Sequence, residues 1–255
     1  MPAEGLIPVL KAALVAGLIA GLAMGLFHLV LTEPVIDRAI ALEEATAATP
    51  GQAADHEPVV SRGQQKGMLV AGSALYGLLV GIIFAIVFSA VGRRLPGRRP
   101  HIQAAVLAGL LWWSVALIPF LKYPATPPGA GDPATLYFRQ GLMFGFIALS
   151  ALALAAAGLA YSLLGKRWRH PRLQGRRWGA VAGLYGVLVV MLFAFMPTNP
   201  DLVTIPGDLV WRFRILALLG QAFFWAVLGG ASALILRRLA RPRPHPRQGA
   251  MGETG

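Results

Sequence analysis

Cysteine is absent from the 255 residues, which excludes disulfides and thiolate metal sites. Acid is scarce: 11 Asp and Glu stand against 23 Lys and Arg, and none of the 11 falls inside a long apolar run. A hydrolase working within a membrane therefore lacks its usual pair of buried carboxylates. The chain has no G-x-x-x-x-G-K-[ST] phosphate loop, no H-E-x-x-H and no G-x-S-x-G. ATP hydrolysis by that route, zinc proteolysis and serine hydrolysis lose their machinery, so no enzyme is expected and no tightly bound cofactor.

What the chain does have is apolar length, with 56% hydrophobic residues and only 13% charged. Six runs stand out, at roughly 6–31, 68–92, 102–121, 140–164, 179–196 and 213–236. A bilayer core of about 30 Å needs about 20 helical residues. Four runs reach that comfortably; 102–121 and 179–196 sit near the lower limit, which leaves five or six spans open. Charge alternates between the connecting segments. With the N-terminus inside, the inner segments hold 16 of the 23 Lys and Arg, and the outer ones hold 9 of the 11 Asp and Glu. The Lys/Arg bias orients membrane helices. The expected fold is all-α: a polytopic membrane bundle of six transmembrane helices with both termini cytoplasmic. Residues 1–241 form one bundle domain, and 242–255 a disordered cytoplasmic tail. The net charge of +12 is then explained by orientation and by anionic membrane lipids rather than by nucleic acid. The first run is too long for the apolar region of a signal peptide and reads as a retained helix. A bacterial inner membrane suits basic loops this poor in acid.

Small residues recur at every fourth position: Gly17, Gly21 and Gly25; Gly77 and Gly81; Gly141 and Gly145; Gly179 and Gly183. Each set places a flat stripe on one helix face, where two backbones can approach closely. Pro119 and Pro197 are placed where the third and fifth helices can stop. Trp178 and Trp211 read as interfacial belt residues. The long segment after the first run is expected to open with a short helix, capped by Thr32 and carrying Pro34 in its first turn.

His28 is the clear ionisable group inside a span, with Gln221 as a polar companion in the last one. Such a residue is a functional candidate by default. Just beyond the first run, Glu33 and Asp37 are four apart and share a helical face; Glu43 and Glu44 follow, with Glu44 near the same stripe. His56, between Asp55 and Glu57, adds an imidazole. Carboxylates and imidazoles together suit a first-row divalent metal. The alternative is an ordinary solvated acidic loop, or salt bridges to Arg38 and Arg62. On the same side lie Lys122, Tyr123 and Pro124 in a proline-rich turn, then Asp132, Arg139 and Asp208. Arg212 and Arg214 flank the start of the last span, and one of them is expected either to pair with Glu33, Asp37 or Asp208 or to reach the lipid headgroups.

These strings carry a resemblance. Glu33-Pro34-x-x-Asp37-Arg38-Ala39-Ile40-Ala41-Leu42-Glu43-Glu44, Val60-Ser61-Arg62, Phe120-Leu121-Lys122-Tyr123-Pro124-Ala125, Gly131-Asp132-Pro133 and Leu209-x-Trp211-Arg212-Phe213-Arg214 resemble the predicted cobalt transporter subunit family, CbtA type. Thr126 stands where related sequences often have Asn, and His56 alone remains of a His-rich patch common in them. The resemblance implies a bacterial inner-membrane protein of cobalt uptake, with Co(II) as the transported ion and a small one-span, His-containing subunit as partner. Two other readings remain: a non-transporting scaffold that binds a partner subunit through the proline-rich turn, and a component of corrinoid uptake.

Overall fold

The computed structural model describes residues 6–47, 60–95, 97, 99–128, 130–168, 170–199 and 205–239, and among them every regular element is helical. Hydrocarbon supplies no hydrogen-bond partners, so an apolar segment must close its main-chain bonds internally, as a helix does. α1 (Leu6–Phe27) runs through a π-helical turn, His28–Thr32, into α2 (Glu33–Ala47). α3 is Arg62–Val91. α4 (Pro100–Leu111) passes through a second π turn, Trp112–Leu117, into the short α5 (Ile118–Lys122). α6 (Leu136–Arg167), α7 (Gln174–Phe195) and α8 (Gly207–Leu239) complete the described chain. Six helical segments are long and apolar enough to cross a membrane, and the two short runs are among them, with 23 and 22 residues. The protein is a multi-pass helical membrane bundle.

α1 lies between α3 and α8, and α4 packs on the far side of α8. The α1–α3 contact is made by glycine. A Cβ at Gly17 would strike the Gly77 carbonyl, one at Gly77 the Gly17 carbonyl, one at Gly21 the Ser73 carbonyl and one at Gly81 the Ala13 carbonyl. Backbones this close are what a small-residue stripe permits. Around them Ala16, Ala20, Phe84, Phe224 and Leu228 form the centre of the core. The stripes of the fourth and fifth runs behave otherwise. Gly141, Gly145, Gly179 and Gly183 have open space where a Cβ would go, so they bring no helix close. α6 and α7 form a hairpin that touches the core mainly through the second π turn and α5.

Two sequence expectations change at the π turns. Pro119 does not stop the third span; it is buried within α5, and the helix runs on to Lys122. The π register is the reason. Ile118 N–H bonds the Trp113 carbonyl, five residues back, so the next carbonyl in line, Ser114, is the one that Pro119 cannot serve. The Ser150 hydroxyl of α6 donates to that carbonyl at 2.6 Å and fixes the hairpin to the core. Thr32 likewise caps no separate helix: α2 continues α1, and Thr32 instead bonds His28. Pro197 meets its expectation, since α7 ends at Phe195.

Gly77→Ala forces the α1 and α3 backbones apart and should cost about 1–3 kcal/mol, whereas Gly183→Ala should be neutral; thermal unfolding in detergent compares them. Ser150→Ala leaves the Ser114 carbonyl unpaired in the membrane interior and should cost about 1 kcal/mol. The same measurement, against Ser162→Ala on the exposed side of α6, reads it.

Candidate functional site

The first π turn sets the geometry of the site. Its closing bond runs from Glu33 N–H to the His28 carbonyl, an i→i+5 step. One turn of chain therefore carries His28 to Glu33, and one α-turn carries Glu33 to Asp37, so the three stack along one side of a continuous helix. The His28 Nδ1 and Thr32 Oγ1 are 2.8 Å apart. The other edge of the imidazole lies over Gly220 of α8: a Cβ there would collide with Cε1 and Nε2. Phe27 meets the ring edge to face, with centroids 5.4 Å apart. Next to Gly220, the Gln221 side chain reaches the Tyr76 hydroxyl of α3. His28 and Thr32 in the first π turn, Tyr76 on α3 and Gln221 on α8 thus place polar groups where these three segments meet.

Above them stands a charge quartet. Glu33 is buried, 6% exposed, and accepts from Arg62 Nη2 at 2.7 Å. The same nitrogen bonds Asp37, and Lys66 Nζ donates to the other Asp37 oxygen at 2.7 Å. A buried carboxylate needs such a partner, because its desolvation cost is otherwise uncompensated. Arg62 sits at the start of α3, set by a capping box in which Ser61 and Gln64 satisfy each other's backbone N–H groups. Lys66 follows one turn later. Two anions meet two cations, and the quartet is neutral.

Glu33 and Asp37 share a face as expected, and Arg62 is the partner the sequence allowed for; Lys66, which the sequence reading passed over, takes the place given to Arg38. Spacing could have found Lys66, since it lies four residues after Arg62 on the same face. Glu43 and Glu44 are exposed on later turns of α2, and His56 lies outside the described residues. Among the described residues, no three of His, Cys, Asp and Glu come together as a ready-made metal cage.

The other candidates on this end of the bundle bind main-chain oxygen. Lys122 donates to the Phe193 carbonyl at 2.9 Å, in the last turn of α7, where a cation meets the negative end of the helix dipole. The Tyr123 hydroxyl donates to the Pro197 carbonyl at 2.6 Å, and burial pushes its phenol above the usual range. Arg139 reaches the Ala130 and Asp132 carbonyls. Arg214 turns inward, as expected of one arginine of the pair, but its acceptor is the Ala125 carbonyl at 3.3 Å. Of the three acids offered to it, Glu33 and Asp37 are already matched by α3. Arg212 is exposed, as are Asp132 and Asp208; Pro124 is partly buried in the turn. Asp132 caps the turn Pro133–Thr135 by accepting from Ala134 N–H at 2.8 Å.

A six-span helical bundle with charged and polar side chains at a three-helix junction belongs to the class of multi-pass membrane proteins. The family model described as "Probable cobalt transporter subunit (CbtA)" matches residues 7–237. The chain belongs to this family. No curated protein and no solved structure matches it.

His28 and Gly220 should prove coupled. Gly220→Ala displaces the imidazole and should lower stability by about 1–3 kcal/mol. In a His28→Ala background the added methyl has room and the same change should cost little. A double-mutant cycle on thermal unfolding measures that coupling.

Proposed function

We propose that this chain is the membrane subunit through which Co(II) enters a bacterial cell. It sits in the inner membrane with both termini in the cytoplasm, and its Glu33 end faces outward. The observation that supports this best is the line of donors down one helix, Asp37 and Glu33 above His28, in a chain of the cobalt transporter subunit family. Glu43, Glu44 and His56 raise the local concentration of cations on the approach. Glu33 and Asp37 then receive the ion, and His28 takes it over one turn deeper. Oxygen and imidazole donors suit Co(II).

The quartet supplies a physical reason for reversible capture. Arg62 and Lys66 together carry the charge of one divalent ion. An arriving ion that displaces both leaves the site as neutral as before, so the exchange avoids creating a buried net charge. Both side chains are about one third exposed, at 36% and 35%, and have solvent to swing into. Lys122, Tyr123, Arg139, Asp132 and Arg214 hold the helix ends and the proline-rich turn around this mouth. A small one-span, His-containing subunit is the proposed partner. No bond to substrate is made or broken, which fits a carrier rather than an enzyme.

The test is radioactive Co(II) uptake in cells stripped of their own importers, with the chain expressed alone and with the small subunit. Arg62→Gln with Lys66→Gln should lower the half-saturating Co(II) concentration by about tenfold, equivalent to about 1.4 kcal/mol. Glu33→Gln, Asp37→Asn and His28→Ala combined should abolish uptake. Uptake equal to wild type in that triple variant, at normal membrane levels, sinks the proposal; competition by cobalamin in place of Co(II) redirects it to a corrinoid.

A further inference from the structure

Each π turn is followed by a proline in the same register. Ile118 precedes Pro119, and Glu33 precedes Pro34. Ile118 N–H bonds the Trp113 carbonyl and Glu33 N–H bonds the His28 carbonyl, each five residues back. The next carbonyl in line is Ser114 in one span and Leu29 in the other. An α-turn would pair it with the N–H already committed, and a π turn with the one that proline lacks. The two spans then part. Ser150 of α6 donates to the Ser114 carbonyl at 2.6 Å. No described side chain donates to the Leu29 carbonyl.

Thr32 has the reach to do so. A threonine hydroxyl in a helix commonly donates to the carbonyl three or four residues back, and Leu29 is three back. The Thr32 Oγ1 instead lies 2.8 Å from His28 Nδ1. Pro34 removes the main-chain donor of this carbonyl, and His28 engages the nearest side-chain one.

Helix carbonyls point along the axis toward the C-terminal end, so the Leu29 oxygen points toward the charge quartet. Leu29 continues the four-residue spacing of Gly17, Gly21 and Gly25, the stripe that packs on α3. Glu33 comes next and is held from α3 by Arg62. The oxygen therefore lies on the α3 side of the helix, above His28 and below the buried Glu33 carboxylate. Main-chain carbonyls released from a helix are cation ligands where they line a path through a membrane protein. Such an oxygen brings no net charge, so it extends a donor set without disturbing the neutral quartet.

We propose that the Leu29 carbonyl is a ligand for the captured divalent cation, between Glu33 and His28. This rests on the reading of Glu33, Asp37 and His28 as the path of the ion. The carbonyl closes the gap of one helical turn between carboxylate and imidazole. Carboxylate, carbonyl and imidazole together form a mixed donor set that a first-row divalent ion accepts. Pro34 is the residue that keeps the new ligand free.

The experiment restores the missing donor. Pro34→Ala gives residue 34 an N–H that a continued π register directs at the Leu29 carbonyl. The full-length chain in lipid nanodiscs is titrated with Co(II) alone by equilibrium dialysis, and its melting temperature is measured alongside. Pro34→Ala should raise the Kd about tenfold while the melting temperature holds or rises. Replacing Pro34 by lactic acid, the hydroxy-acid counterpart of alanine, removes the N–H again and should return the Kd to the wild-type value. Pro119→Ala should leave the Kd unchanged, since Ser150 already occupies the carbonyl there. Wild-type affinity in Pro34→Ala, with binding still lost when Glu33→Gln, Asp37→Asn and His28→Ala are combined, overturns this inference alone. An equal loss in the alanine and lactic-acid forms, or a like loss in Pro119→Ala, does the same. No binding by the wild type, or binding that survives the triple change, overturns the reading of the path and this inference with it.

Discussion

Hydrocarbon offers a polar group no partner, and the arrangement of this bundle follows from meeting that condition inside the protein. Pro119 removes a donor in the middle of the structure, and the Ser114 carbonyl it strands is recovered by Ser150 from a different helix. Lys122 and Tyr123 then close the end of α7, and Arg214 ties the start of α8 to the proline-rich turn, each by donating to a backbone oxygen. The unusual strings around Lys122 and Arg214 therefore have a structural explanation: they fasten helix ends that would otherwise expose main-chain carbonyls. Exposed headgroup contact needs no such specific wording. A lysine or arginine that must reach a particular carbonyl does, because its position on the helix and the length of its side chain are both fixed.

The same condition governs Glu33. A carboxylate buried to 6% exposure carries a large desolvation cost unless a cation lies against it. Arg62 serves Glu33 and Asp37 at once, and Lys66 completes the balance on Asp37. This pairing joins the top of α1–α2 to the top of α3, where the glycine contact lower down has already brought the two helices together. Close backbones below and opposite charges above act on the same pair of helices, so the charge quartet is held in a fixed geometry rather than on two independent arms. The π turn between them aims both carboxylates along the line of His28.

The helical class, a count of five or six spans, and the flat stripes that α1 and α3 use were legible from run length and four-residue spacing, because bilayer thickness and close packing impose those periods directly. The identical spacing of Gly141–Gly145 and Gly179–Gly183 shows the limit: periodicity reports that a face is flat, and only the packing decides whether a neighbour lies on it. Glu33 and Asp37 were legible as a shared face, whereas the π turn beneath them was not. An added residue in a helical turn leaves no mark in composition, and it shifts every later residue around the axis. Thr32 was read as a cap for the same reason; in an apolar-to-acidic junction a cap and a continuous helix look alike.

The bundle is also uneven, and the unevenness has a physical reading. α1, α3, α4 and α8 share the core, whereas α6 and α7 hang from it by Ser150, Lys122, Tyr123 and the ring of Phe146, which lies between Tyr123 and Phe193. Contacts concentrated at one π turn and one end allow a hairpin to tilt about that attachment at less cost than a helix packed along its whole length. The charge quartet and His28 lie away from that hairpin, on α2, α3 and the first π turn, with His28 packed against α8. The proposed Co(II) site would gain from close packing of the helices that carry it, because ligand geometry decides which ions a site accepts.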